Sequence, residues 1–138
     1  MTSILKSLKI PMPDFLGIGA AKTGTSWLWK NLKRHRDIWT PKSKEIHFFD
    51  RRIENRLFPL IPNELEAKIR YSSFFLRGKL MGKLTGEVTP AYAILPEEKI
   101  KLINSWMPDV KIIFIMRDPV LRAWSQAKKV FLNLPESH

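Results

Sequence analysis

The sequence predicts an α/β layered domain with a mainly parallel sheet, and three observations carry that prediction. From Phe15 onward, short apolar runs alternate with segments of helical spacing. One run, VKIIFIM from Val110 to Met116, is nearly continuous and β-branched, as a strand covered on both faces should be. The two segments richest in chemistry, GAAKTGTS and RDPVLRAWSQ, each follow directly on an apolar run. Parallel sheets bind ligands at the carboxyl ends of their strands, which is where both segments would fall.

Taken in order, residues 1–14 read as an N-terminal extension and 15–138 as the domain. Phe15 to Gly19 (FLGIG) is a short buried strand. Ser26 to about His35 is the helix after it, with Trp27, Leu28 and Leu32 apolar. Pro41 to Lys44 makes a basic turn ahead of EIHFFD, and Pro59 and Pro62 bracket a loop. Asn63 then caps a helix beginning ELEAKIRYSSFF, because its side chain can accept from the first free backbone N–H groups. Leu84 to Val88 is a short strand stopped near Pro90. Glu97 to Trp106 has helical spacing through Ile100, Leu102, Ile103 and Trp106, and the last segment, Val120 to Phe131, is helical after the Val110–Met116 strand.

The net charge of +11, from 24 Lys and Arg against 13 Asp and Glu, favours anionic partners such as nucleic acid, acidic membrane, sulfated sugar or nucleotide. A solvated basic surface that aids solubility accounts for the same charge. There is no long Lys/Arg block and no basic–aromatic array, so no specific nucleic-acid partner is expected. No apolar run approaches the roughly 20 residues of a membrane span. The N-terminus interrupts its apolar residues with Lys6 and Lys9 and lacks a small-residue cleavage site, which argues against a secretory signal. The cytoplasm is the expected location. With no cysteine, disulfides and thiolate chemistry are excluded.

The turn GAAKTGTSW has the layout of a phosphate cradle. Glycines let the backbone approach an anion, and a helix N-terminus offers free N–H groups and a positive dipole end. Gly19, Gly24 and Ser26 match the spacing G-x-x-x-x-G-K-[ST], but Thr25 stands where that P-loop pattern has lysine. The only lysine of the turn is Lys22, two residues before Gly24. Lys22 adds a full charge, and the hydroxyls of Thr23, Thr25 and Ser26 add hydrogen bonds. A plain strand–helix turn with Ser26 as N-cap is the competing reading.

Three further segments carry chemistry. In RDPVLRAWSQ, Arg117 ends the strand and Ser125 lies eight residues on, so a guanidinium fork and a hydroxyl can converge on one phosphate. An Arg117–Asp118 ion pair is the structural alternative, and Asp118 as a Mg²⁺ ligand of a P-loop NTPase or kinase is the functional rival. In KSKEIHFFD, an extended stretch puts Glu45 and His47 on one face, where a carboxylate near an acceptor hydroxyl can act as general base. Pairing of Glu45 with a lysine and simple packing of His47 is the alternative. TGEVTPAY adds Glu87 as another carboxylate with Tyr92 nearby, explained nearly as well by a buried structural hydrogen bond.

Together the four segments resemble the sulfotransferases that use 3′-phosphoadenosine 5′-phosphosulfate (PAPS). The 5′-phosphosulfate loop of that family has the form of AAKTGTSWLW, and its 3′-phosphate element looks like FIMRDPVLRAWSQ. KEIHFFD and EVTPAY more narrowly resemble the glycan branch, such as the heparan sulfate glucosaminyl 3-O-sulfotransferases and related bacterial enzymes. The resemblance runs from Leu16 to Phe131 and implies a P-loop-like three-layer fold. It implies that Lys22, Thr23, Gly24, Thr25 and Ser26 grip the 5′-phosphosulfate, and that Arg117 and Ser125 hold the 3′-phosphate. Glu45 matches the base of the 3-O-sulfotransferase branch, His47 orients it or shares its role, and Glu87 sits where the related N-sulfotransferases carry theirs.

The implied reaction moves a sulfuryl group from PAPS to a hydroxyl or amine, a glycan among the acceptors, with no metal required. Val88 stands where the glycan enzymes usually have lysine (EKTPAY), which bears on a heparan-like acceptor more than on sulfuryl transfer. Members of the family run well beyond 138 residues, and no G-x-x-G-x-x-K-like loop follows Ser125. The expectation is therefore an N-terminal portion, incomplete at its C-terminus. A non-catalytic nucleotide-binding remnant and a basic module for an anionic polymer are the non-enzymatic rivals.

Overall fold

The FLGIG run forms strand β1 (Phe15–Gly19) inside a four-stranded sheet. These are findings of a computed structural model that describes residues 10–51 and 64–132. After β1 come helix α1 (Thr25–Arg34), strand β2 (Ile38–Trp39), and helices α2 (Glu64–Ser73) and α3 (Leu76–Leu80). Strand β3 (Leu84–Val88), a 3₁₀ turn (Pro90–Ile94), helix α4 (Glu97–Trp106), strand β4 (Lys111–Phe114) and helix α5 (Pro119–Leu132) complete the order. The strands lie in the order β2–β3–β1–β4 and every pairing is parallel, so the α/β parallel-sheet expectation holds. Leu16 is opposite Glu87 on β3 and Ile112 on β4.

Parallel pairing brings all carboxyl ends to one edge. Beyond the strands proper, the Thr89 amide donates to the Gly17 carbonyl at 2.8 Å and the Ile115 amide to the Gly19 carbonyl at 2.7 Å. The loops after β1, β3 and β4 therefore leave the sheet side by side. The core lies under this edge as an aromatic cluster. Phe48, Phe49, Tyr71, Tyr92 and Trp106 hold ring centroids 4.8–6.5 Å apart, with Leu16 and Phe75 buried beside them. Contacts of this kind contribute about 0.5–1.5 kcal/mol each beyond area burial.

Several expectations need correction. β4 was expected to be covered on both faces, yet it is a sheet edge that pairs only with β1 among the described residues. Ile112 and Phe114 are about half exposed, and α5 contributes no buried residue. The strand is also shorter than Val110–Met116. The helix over ELEAKIRYSSFF breaks after Ser73 and resumes at Leu76. The Pro59–Pro62 loop and the Asn63 cap lie outside the described residues. β2 had no expectation attached to it.

The amino edge of the sheet is tied by Asp14. Its carboxylate accepts from Lys79 Nζ, the Thr85 amide (each 2.7 Å) and the Thr85 hydroxyl, while its own carbonyl accepts from the Lys111 amide. Burial pushes the Asp14 carboxyl up, but the bonds from Lys79 and Thr85 outweigh it and hold the group below the usual carboxylate range. A depressed carboxyl stabilises the fold above its unfolded-state value, and that increment is lost as pH falls through the folded-state value. Asp14→Asn should cost about 1 kcal/mol at pH 7, discounted for the partial exposure of the carboxylate. The difference from wild type should shrink between neutral and strongly acid pH, as pH falls through the depressed folded-state value and the wild-type carboxylate loses its charge. Urea unfolding at both pH values checks this, and equal stability at pH 7 removes the role.

Candidate active site

The loop after β1 is shaped by backbone conformation. Gly24 holds the N-cap position of α1 at φ 97°, a left-handed geometry that favours glycine, and a Cβ there would meet nothing within 4 Å. Glycine is thus required by dihedral angle and not by crowding. The reading of Ser26 as N-cap fails: the helix starts at Thr25, and Ser26 is its second residue. No acidic residue occupies the first turn, so the positive end of α1 and its unpaired amides are left for an anion. Thr23 is nearly buried and turns its hydroxyl onto the Ala20 carbonyl at 2.6 Å, which braces the loop.

Arg117 closes the loop from the far side. Its Nη1 donates to the Lys22 carbonyl at 3.1 Å, linking residues 95 apart in sequence. The Arg117–Asp118 ion pair is not what forms. Asp118 Oδ1 accepts from the Leu121 amide at 2.9 Å and caps α5, whose first residue is Pro119. That capping bond engages one of the two oxygens of the carboxylate that the NTPase reading would assign to Mg²⁺.

These elements enclose a cleft of about 800 Å³. Lys22, Gly24, Thr25 and Ser26 line it from the β1 loop, Arg117 from the β4–α5 connection, Ser125 from α5, and Glu45 with Lys44 from the segment after β2. Arg122, Gln126 and Lys129 of α5 line it too, and the sequence reading did not single them out. Five lining cations thus face one carboxylate. Lys22, Arg122 and Lys129 have no ion-pair partner among the described residues, so their charge is available to a ligand. A donor set this cationic fits a ligand that carries several negative charges.

The segment after β2 is not extended as expected. His47 has φ 54°, and that turn lets the adjacent Phe48 and Phe49 both reach the aromatic core. In a strand they would point to opposite faces. Glu45 and His47 nonetheless meet: His47 Nε2 is 3.0 Å from Glu45 Oε2, and His47 Nδ1 is 2.7 Å from Asp50 Oδ2. Lys44 Nζ holds Glu45 Oε1 at 2.8 Å. Asp50 was missed, although its place three residues after His47 in EIHFFD was available as a signal. Lys22 (φ 65°) and His47 are the non-glycine residues with positive φ among the described residues, and both belong to this site. Such conformations cost about 1–3 kcal/mol each and cluster where geometry serves function.

Glu87 is elsewhere. It is fully buried and does not line the cleft. Its carboxylate accepts from Tyr71 Oη (2.5 Å), Thr89 Oγ1 (2.7 Å) and Tyr92 Oη (3.2 Å). Burial pushes the Glu87 carboxyl up, and the hydroxyl bonds from Tyr71, Thr89 and Tyr92 offset that only in part. Burial, with the Glu87 charge second, pushes both tyrosine hydroxyls above their ordinary range.

Among the described residues no helix is long and apolar enough to cross a membrane, and no group of three His, Cys, Asp or Glu is placed to hold a metal ion. No family model matches the chain. It is 32% identical over 126 residues to human heparan sulfate glucosamine 3-O-sulfotransferase 6, covering 89% of this chain and 32% of that protein. It is 33% identical over 115 residues to the membrane-associated sulfotransferase kil1 of Dictyostelium discoideum, covering 83% of this chain and 22% of that one. A solved sulfotransferase from Alicyclobacillus acidocaldarius superposes with a TM-score of 0.65 at 30% identity, over 93% of this chain and 53% of that one. The chain therefore spans about a third or less of the relatives' length and about half that of the solved structure. In sequence and in fold alike, it is a homologue of the sulfotransferases, matching one portion of them.

Proposed function

We propose that the chain carries the donor site and the base of a PAPS-dependent sulfotransferase acting on a hydroxyl or amine, with a glycan as the favoured acceptor. The observation that supports it most is the cleft, where two segments 95 residues apart join cationic and hydroxyl donors beside one carboxylate. The relatives' names favour the glycan, and Val88, apolar and buried, leaves the acceptor side without the lysine of the glycan branch.

When bound, PAPS supplies the sulfuryl group and departs as adenosine 3′,5′-bisphosphate. Glu45 takes the proton of the acceptor, while Lys44 and His47 hold its two oxygens in place. Lys22 neutralises charge developing on the oxygen that leaves with the nucleotide, helped by the first-turn amides of α1. Arg117 and Ser125 hold the 3′-phosphate. A sulfuryl group carries less charge than a terminal phosphoryl group, so lysine and amides suffice where phosphoryl transfer uses a metal clamp.

Calorimetry tests the donor assignment. Adenosine 3′,5′-bisphosphate should bind, and Arg117→Ala should weaken it about 10- to 100-fold, the equivalent of a charge-assisted hydrogen bond. Adenosine 5′-phosphate, which lacks the 3′-phosphate, should be weakened much less, because it loses only the brace of Arg117 on the Lys22 carbonyl. No binding, or an equal loss for both nucleotides, overturns the assignment.

A further inference from the structure

The geometry points to Glu87 as a positioning residue that sets the backbone around the Glu45–His47 pair through the hydroxyls of Thr89 and Tyr92, a role that rests on Glu45 being the base. Three hydroxyls surround this buried carboxylate, and a carboxylate can only accept. Each hydroxyl must therefore aim its proton inward and turn a lone pair outward. Two outward lone pairs are used. Thr89 Oγ1 accepts from the Ile46 amide at 3.2 Å, and Tyr92 Oη accepts from the Phe48 amide at 3.0 Å. Those amides flank His47, the residue whose left-handed φ brings its ring to Glu45. Tyr71, on α2, fills the third place and locks the hub to the aromatic core.

Exposure separates the two glutamates. Glu87 is sealed from solvent, so an acceptor cannot reach it, whereas Glu45 lines the cleft. The link between them passes through Thr89, just after β3, and Tyr92, in the 3₁₀ turn, to a strained loop 43 and 44 residues distant in sequence.

Glu87→Gln is the sharpest variant, because it keeps the shape but replaces one acceptor oxygen with an NH₂ donor. A hydroxyl facing the NH₂ must then accept from it, and where that hydroxyl is Thr89 or Tyr92 the lone pair it turns to the loop is re-aimed. Amide hydrogen exchange at Ile46 or Phe48 should quicken at least tenfold, and turnover should fall at least tenfold. Affinity for adenosine 3′,5′-bisphosphate should stay within about twofold of wild type. Thr89→Val, which removes the Ile46 acceptor while leaving Glu87 in place, should quicken exchange at Ile46 and not at Phe48. It also serves if Glu87→Gln does not fold. Unchanged exchange at both amides in Glu87→Gln, or unchanged exchange at Ile46 in Thr89→Val, overturns the positioning role. Loss of the acid limb of the turnover–pH profile in Glu87→Gln but not in Glu45→Gln also overturns it, since Glu87 would then be the base. Failure of wild type to bind the bisphosphate would instead sink the donor-site reading, and the exchange result would still decide the positioning role.

Discussion

Glu45→Gln is expected to lower sulfuryl transfer by about 10²–10⁴, the usual contribution of a positioned general base. Glutamine keeps the length and the Oε1 contact to Lys44, so the cleft should retain its shape. What it loses is the ability to take a proton at the Oε2 position, beside His47. The measurement is turnover with PAPS and a glucosamine-containing glycan, alongside the affinity for adenosine 3′,5′-bisphosphate. Turnover should collapse while affinity is kept, because the five cations of the cleft are untouched. Transfer within about threefold of wild type would remove the base assignment. His47→Ala should give a smaller loss if the imidazole only orients Glu45.

Lys22→Ala is the second large effect, a loss of about 10²–10³ in turnover, typical of removing one preorganised contact to developing charge. Its effect on bisphosphate affinity should be much smaller, since only part of the interaction exists before the leaving oxygen gains charge. The loop itself should survive. Arg117 holds the carbonyl of residue 22, which alanine retains, and Thr23 still braces the Ala20 carbonyl. The positive φ at position 22 is strained for alanine as it is for lysine, so substitution adds no new strain of that kind. Near-wild-type turnover would sink the role of Lys22, and an equal drop in turnover and affinity would recast it as a ground-state binder.

The strand-end logic explains why so much of the site was legible. The loop after β1 and the segment after β4 are each written in contiguous residues, and parallel pairing alone brings both to one edge. Glu45 was legible for a different reason from the one first given. The segment is turned, not extended, and Glu45 meets His47 because φ 54° bends the chain, with Phe48 and Phe49 anchored in the core. Arg122 and Lys129 escaped notice because their part depends on cleft walls distant in sequence, whereas the partner of Asp50, His47, lies only three residues away.

By itself the sequence determined the local pieces. These are FLGIG as a strand, a glycine-turned loop carrying Lys22 ahead of a helix, and the strands and helices from Leu84 to Leu132, within a residue or two at most ends. Each depends on neighbours only a few positions away, through backbone dihedrals, caps and periodicity. Tertiary structure alone decided the place of β4 beside β1, the burial of Glu87 and its hold on the Ile46 and Phe48 amides. Those depend on crossovers and on contacts between residues more than 40 positions apart, and whether a carboxylate meets solvent or three hydroxyls is a property of what the chain folds around it.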